Sequence, residues 1–351
     1  MNILFVSPVA FDALQQRHQA LATGLAAEGH TIGYLEPPVS GGFSCRVMQR
    51  NERLHTIQTH IPFRATAWPS LQKIASRLVF GLLYRTGLVY PSRMALWIAD
   101  PAFAAFADLP WLCRFYDRCD RHGVFPGQNV LPWKRYEQAL YNVCNVVFAS
   151  TPILCDEARQ GGACKVVLLP NAAHKSWIDT PATRSKPSTP PIRLVSAGAH
   201  FEWIDFDWLR LFADDSRCEL HIAGPGRGSA FAALAAHRNV KTHGSMRHES
   251  LRDLLDECHV GLAPFCRSLL TEAVDPVKVY EYAARRLAVW AVDLPNLRTH
   301  CNVDRVITCR EDLDHALEEF AWPVSGRHSK IPTWNDRIET IQTIIGDISD
   351  Q

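Results

Sequence analysis

Short apolar runs alternate with stretches of helical periodicity along the whole chain. Residues 3–7 form one such run. Leu14, His18, Leu21 and Leu25 then recur at helical spacing, and Gly29 closes that helix. A second run at 31–36 and further runs at 95–99, 111–116, 143–149 and 165–169 predict the strands of one doubly wound α/β unit. The stretch 176–191 is rich in proline, threonine and serine and reads as a linker. Beyond it, runs at 192–197, 218–223, 239–242, 258–263, 287–292 and 304–308 predict a second unit. An amphipathic helix over 334–346 follows a loop containing Pro332 and can return to the first domain.

Alternating strands and helices argue for parallel sheets covered on both faces. The expected architecture is α/β: two doubly wound Rossmann-like domains facing across a cleft. The expected boundaries are 1–175 for an N-terminal acceptor-binding domain, 176–191 for the linker and 192–330 for a C-terminal nucleotide-sugar-binding domain. Residues 331–351 form the returning segment. In such sheets ligands bind beyond the carboxyl ends of the strands, so functional side chains are sought there.

Composition narrows the partners. A formal net charge of +1 over 351 residues gives no global pull toward nucleic acid. The N-terminus has no basic stretch ahead of its apolar run and reads as a strand, not a signal peptide. The most apolar segment, Leu78 to Tyr90, is interrupted by Arg85 and two glycines, which argues against a membrane span. The 11 cysteines have no metal-ligand spacing and read as free thiols of a cytoplasmic protein.

Four groups of residues offer chemistry. In Asp275-Pro276-Val277-Lys278-Val279-Tyr280-Glu281, Asp275 is expected to cap a helix and Pro276 to occupy its first position. Lys278 then lies in the first turn, where free amides and a cation suit a diphosphate, and Glu281 follows on the same face. An exposed Lys–Glu pair on a surface helix is the plain alternative. In Phe115-Tyr116-Asp117-Arg118-Cys119-Asp120, a buried strand runs into two carboxylates, one a candidate base and the other a local cap. Gly224-Pro225-Gly226-Arg227-Gly228 departs from the dinucleotide fingerprint and reads as a tight strand-to-helix loop. Asp205-Phe206-Asp207 has the spacing of a metal-binding pair but opens a helix, so a cap is the better reading. His237, His243 and His248 lack ligand spacing, and no bound metal is expected.

With these residues in place, the chain resembles bacterial GT-B glycosyltransferases that build surface polysaccharides. The nearest-looking branches are the xanthan-type glucuronosyltransferases and teichuronic-acid synthesis enzymes. The resemblance rests on Arg17-His18 with Gly29-His30, Tyr116-Asp117, Asp120, Glu137, Phe148-Ala149-Ser150 and Leu169-Pro170-Asn171. Farther on it rests on Gly198, Gly224-Pro225, Asn239-Val240 with Gly244, Ala263-Pro264-Phe265 and the block Asp275 to Tyr282. It implies that Lys278 contacts the donor phosphates and Glu281 the ribose. Gly198, His200, Gly224, His243, Gly244, Pro264, Phe265 and Val277 complete the implied donor site, and Asp120 or Asp117 is the implied base. Two departures weigh against a retaining enzyme. The Glu-x7-Glu pattern would need a glutamate at Ala273, with Glu272 one residue off. His200-Phe201-Glu202-Trp203 also replaces the usual Arg/Lys pair.

The expectation is therefore metal-independent, inverting transfer from a nucleotide-sugar, UDP-linked in preference, to a glycan or lipid-linked acceptor. A nucleotide-sugar epimerase of the same fold and a non-catalytic nucleotide-sugar-binding subunit are the alternatives. Residues 64–93 carry Arg64, Lys73, Arg77, Arg85 and Arg93 among apolar side chains and contain no acidic residue. They read as an interfacial helix for an anionic membrane surface, or else as a core helix with a cationic edge.

Overall fold

The structure, a computed structural model, describes residues 1–182, 188–320 and 331–349. Two compact units divide at Pro170/Asn171, and the chain from Asn335 onward belongs with the first.

In the first unit the strands are β1 (Asn2–Val6), β2 (Thr31–Leu35), β3 (Val39–Ser40), β4 (Ser44–Gln49), β5 (Leu54–Ile61), β6 (Ala95–Ile98), β7 (Arg114–Arg118), β8 (Val146–Ala149) and β9 (Val166–Leu168). They lie in the order β3-β5-β2-β1-β6-β7-β8-β9, and β4 pairs antiparallel to β5 at its edge. The run 3–7 becomes fully buried because both sheet faces are covered; Phe5 and Tyr34 stack at 5.5 Å, as do Trp97 and Phe148 at 5.0 Å. Helices α1 (Arg17–Ala27), α2 (Pro69–Arg85), α3 (Val130–Val143) and α4 (Pro152–Gln160) cover the sheet. α1 starts later than the spacing from Leu14 suggests: Gln16 closes a capping box with Gln19, leaving Leu14 outside.

Strands β3 to β5 lie between the apolar runs at 31–36 and 95–99, where the hydrophobic pattern predicts no strand. In β5 the chain alternates buried and half-buried positions, while β4 is largely exposed and lacks an apolar run. A second difference bears on chemistry. β7 extends to Arg118, two residues beyond the apolar run, because Asp117 pairs in register with Phe148 of β8. Asp117 thus lies inside the strand.

The second unit holds β10 (Ile192–Ala197), β11 (Cys218–Ala223), β12 (Val240–Gly244), β13 (Val260–Ala263), β14 (Ala288–Ala291) and β15 (Arg305–Val306). All are parallel, in the order β12-β11-β10-β13-β14-β15. That is the doubly wound order whose direction reverses between β10 and β13, where ligands of such sheets bind. Its helices are α5 (Lys175–Asp179), α6 (Phe206–Ala213), α7 (Ser229–Ala235), α8 (His248–Glu257), α9 (Val277–Ala284), α10 (Pro295–Arg298) and α11 (Arg310–Glu318). The segment taken as linker begins as structure: α5 buries Trp177 in this unit's core. Residues 183–187 of that segment, and 321–330 of the expected second domain, lie outside the described residues.

α12 (Trp334–Ser349) is the last element among the described residues. Gln342 meets His30 at 2.9 Å, and a Cβ added to Gly24 of α1 would sit 2.7 Å from Ile338. Gly24 is thus the surface on which α12 rests.

Candidate functional site

In the second unit the carboxyl ends of three strands meet backbone to backbone. Gly198, after β10, has φ +106, and Gly224, after β11, has φ +133. A Cβ on Gly224 would overlap the carbonyl oxygen of Gly198, so only glycine fits. Gly198 N–H donates to Ala223 O (2.8 Å), and Gly224 N–H donates to Gly244 O (2.7 Å) at the end of β12. A fourth loop joins them: Asp205 N–H donates to Pro264 O (2.9 Å), and Ile204 bridges Phe265 after β13. Asp205 Oδ1 accepts from Trp208 N (2.8 Å), so this aspartate caps α6 as the sequence suggests.

α9 brings the cation. Gly261 of β13 has no side chain where the Tyr282 ring packs, and Tyr282 Oη accepts from Ala197 N (2.7 Å) at the end of β10. One turn earlier, Lys278 Nζ comes within 3.5 Å of the Cβ position of Gly198. It also lies 5.1 Å from the Phe265 ring centre, a cation–π contact. No carboxylate pairs with it among the described residues. Burial pulls its pKa down to about 8, with Glu281 opposing. His200 completes this wall. Its Nε2 meets Ser196 Oγ at 2.8 Å, and burial, then the Lys278 charge, push its pKa down to about 3. His200 is therefore a neutral group beside a cation.

Asp275 does not cap α9, contrary to the sequence reading; Pro276 is the cap residue. Its Oδ2 accepts from Asn171 N (2.6 Å) and its Oδ1 from Tyr280 Oη (3.0 Å), while its carbonyl accepts from the Asn171 side chain. Asp275 thus joins the first residue of this unit to the start of α9. Val277 is half-buried beside it in the first turn. His243 is exposed, with Nε2 3.0 Å from His221 Nδ1 and the two rings stacked at 5.2 Å. Glu281 is only 8% exposed, and its Oε1 lies 3.5 Å from His248 Nε2.

In the first unit the two aspartates have separated. Asp117 is wholly buried, and both its oxygens accept from Arg17 at 2.7–3.0 Å. Arg17 also donates to Leu169 O (2.8 Å). Held this way, Asp117 cannot serve as the base, which corrects the expectation that allowed either residue. Asp120 lies beyond the strand and stays partly exposed. Burial raises its pKa, with His122 opposing. His18 lies beside Asp117, its pKa lowered by burial to about 4. Arg17 and His248 carry parts of these arrangements that sequence spacing does not reveal, because their partners lie far along the chain.

No protein-family model matches the chain, and no curated protein matches it in sequence. Solved structures match it over its full length. One is an E. coli trehalose-6-phosphate protein bound with UDP-2-fluoro glucose, 10% identical, covering 99% of each chain at a TM-score of 0.68. A second is the sucrose-phosphate synthase of Thermosynechococcus elongatus, 12% identical over 100% of this chain and 98% of that one, at 0.67. A third is a UDP-forming alpha,alpha-trehalose-phosphate synthase from Burkholderia vietnamiensis, 11% identical over 100% of both, at 0.64. At such identity the likeness is one of fold. The chain has the GT-B fold of two Rossmann-like parallel sheets.

Proposed function

We propose that this protein is a glycosyltransferase that binds a nucleotide-sugar, UDP-linked in preference, in its second unit. The observation that carries the reading is the Lys278 ammonium. It is largely withdrawn from water, has no ion-pair partner among the described residues, and stands at the reversal point of a doubly wound sheet beside the Gly198 backbone. A buried cation is unfavourable without a counter-charge, and a diphosphate supplies one. The full-length neighbours support the donor class, since one of them holds UDP-2-fluoro glucose and another is a UDP-forming synthase.

In the first unit Asp120 is the base. Its raised pKa moves it toward the working range for taking a proton from an acceptor hydroxyl. The acceptor oxygen bonds to the anomeric carbon as that carbon's bond to the diphosphate oxygen breaks, and the nucleoside diphosphate departs with the electron pair. Lys278 and the first-turn amides of α9 take up its growing charge, with no metal ion required. Direct displacement inverts the anomeric centre. The departures at Ala273 and His200 favour this route, although one similar structure, a trehalose-6-phosphate synthase, belongs to an enzyme of glycosyltransfer with retention.

We further propose a glycan or lipid-linked acceptor of polysaccharide synthesis, reached from the cytoplasmic face of the membrane through α2. That helix buries Gln72, Ala75, Ser76, Val79 and Leu83 and leaves Leu71, Ile74 and Tyr84 exposed among Lys73, Arg77 and Arg85. No helix among the described residues is long and apolar enough to cross a membrane. The test is turnover of UDP-sugars with lipid-linked acceptors in EDTA, with product stereochemistry read by NMR. Inverted product in EDTA is expected. No turnover of any nucleotide-sugar would refute the reading, and retained product would remove the direct displacement.

A further inference from the structure

Glu281 is a nearly buried residue, 8% exposed, whose carboxylate accepts no hydrogen bond from any described residue. Such a group is unfavourable unless something supplies donors. A donor stands close by in His248, the first residue of α8, whose Nε2 lies 3.5 Å from Glu281 Oε1. That nitrogen is itself buried and hydrogen-bonded to nothing described.

The ring's other nitrogen is engaged. Trp177 Nε1 donates to His248 Nδ1 at 3.2 Å. An indole N–H can only donate, so Nδ1 must accept, and the ring proton stands on Nε2, facing Glu281. The imidazole has little room to turn. The Trp177 ring lies 4.3 Å from it, centre to centre, and His174 packs edge-on at 4.9 Å. The three helices are also tied together. Arg285, just past α9, grips Asp256 of α8 through two bonds of 2.7 and 2.8 Å, and donates to the carbonyls of Trp177 and of Thr180. Tautomer, ring plane and helix positions are therefore all set before anything binds.

We propose that His248 is a positioning residue for Glu281: with its proton fixed on Nε2 by Trp177, it holds one carboxylate oxygen and leaves the other to accept from the adjacent hydroxyls of a ribose. This rests on the nucleotide-sugar reading above. A carboxylate takes a vicinal diol through two hydroxyl donors and gains nothing from a deoxy carbon. The Trp177–His248–Glu281 series is thus a device for telling ribonucleotides from deoxyribonucleotides. A small rotation of Glu281 brings the 3.5 Å approach into the hydrogen-bond range.

Isothermal titration of the full chain with UDP and with 2′-deoxy-UDP tests the proposal. The wild type is expected to prefer UDP. His248→Ala should weaken UDP about tenfold, the worth of aligning one charged hydrogen bond, and change 2′-deoxy-UDP by less than about twofold. His248→Gln, whose amide N–H replaces Nε2–H, should restore the preference. Trp177→Phe, which keeps an aromatic ring but loses the N–H, should blunt it. Melting temperatures of each variant separate this from a structural role. Equal loss of both ligands together with a lowered Tm overturns the proposal, as does a His248→Ala variant with an unchanged UDP preference. A wild type that binds UDP but ignores His248 removes this inference alone; a wild type that binds no UDP removes the donor reading and this inference with it.

Discussion

Lys278 Nζ stands 5.1 Å from the centre of the Phe265 ring and within 3.5 Å of the Cβ position of Gly198. The aromatic face eases the burial of the cation without neutralising it, so the site keeps a positive potential for an anion. Replacing Lys278 with Ala should leave the fold intact and remove that potential. We expect nucleoside-diphosphate affinity and turnover to fall together, by about 2–4 kcal/mol in the transition state. Titration calorimetry with kinetics checks this, and near wild-type values would show that the donor site lies elsewhere.

The same lysine sets a pH dependence. Its folded pKa of about 8 is below the ordinary 10.5, so the ammonium is present below about pH 8 and lost above it. Nucleoside-diphosphate affinity should be level from about pH 6 to about 7.5 and then weaken by up to about tenfold per pH unit. The Lys278→Met variant should show no such decline. A wild-type profile that stays flat to about pH 9.5 would mean that this ammonium does not meet the ligand.

The two aspartates of β7 and its following turn should respond in opposite ways. Asp120→Asn should stop turnover while donor affinity and Tm hold. Asp117→Asn should lower stability, because it leaves the buried Arg17 guanidinium without its counter-charge. The loss expected from breaking one side of such a pair is about 3–5 kcal/mol. Urea unfolding beside initial rates distinguishes them, and a stable, active Asp120→Asn enzyme would clear Asp120 of the base role.

Acid should destabilise the protein partly through His18. Its folded pKa is about 4 against 6.5 for the free side chain, so between those values the unfolded chain binds a proton that the native state refuses. Stability therefore falls as pH drops from about 6.5 toward 4. Between about pH 7 and pH 5 the wild type should lose about 2 kcal/mol more than His18→Gln. Equal losses in denaturant titrations would contradict the neutral, buried assignment.

Flotation with anionic liposomes examines α2. At low salt the wild type should rise with the vesicles, and Glu at Lys73, Arg77 and Arg85 should abolish this, each basic residue contributing roughly 1 kcal/mol. Lys73 is already paired with Asp108 at 2.9 Å, so Arg77 and Arg85 should matter more. Protein that stays at the bottom of the gradient would leave α2 as a core helix with a charged edge.

What the sequence discloses here is local, and what it conceals is long-range. The central strands β13 and β14 of the second unit are continuous apolar runs, and Lys278 and Glu281 sit three apart on one helix, so both can be read from spacing. The choice between Asp117 and Asp120 cannot. It turns on β7 running two residues past its apolar stretch to pair with β8, and on an arginine 100 residues upstream. Asp275 misleads for a related reason. A local cap is the default for an aspartate before Pro276, yet its carboxylate is taken by Asn171, 104 residues away. β4 escapes notice because an exposed edge strand needs no apolar face.

The packing of α12 against α1 has a bearing on how the protein is made. Its residues are made after the second unit, yet Ile338 fills the groove at Gly24 and Gln342 meets His30. The first unit therefore waits, with that groove uncovered, while the whole second unit is synthesised. A nascent chain stalled after residue 320 would carry an apolar strip for chaperones to find, and its first unit would gain full resistance to protease only once α12 has emerged and docked.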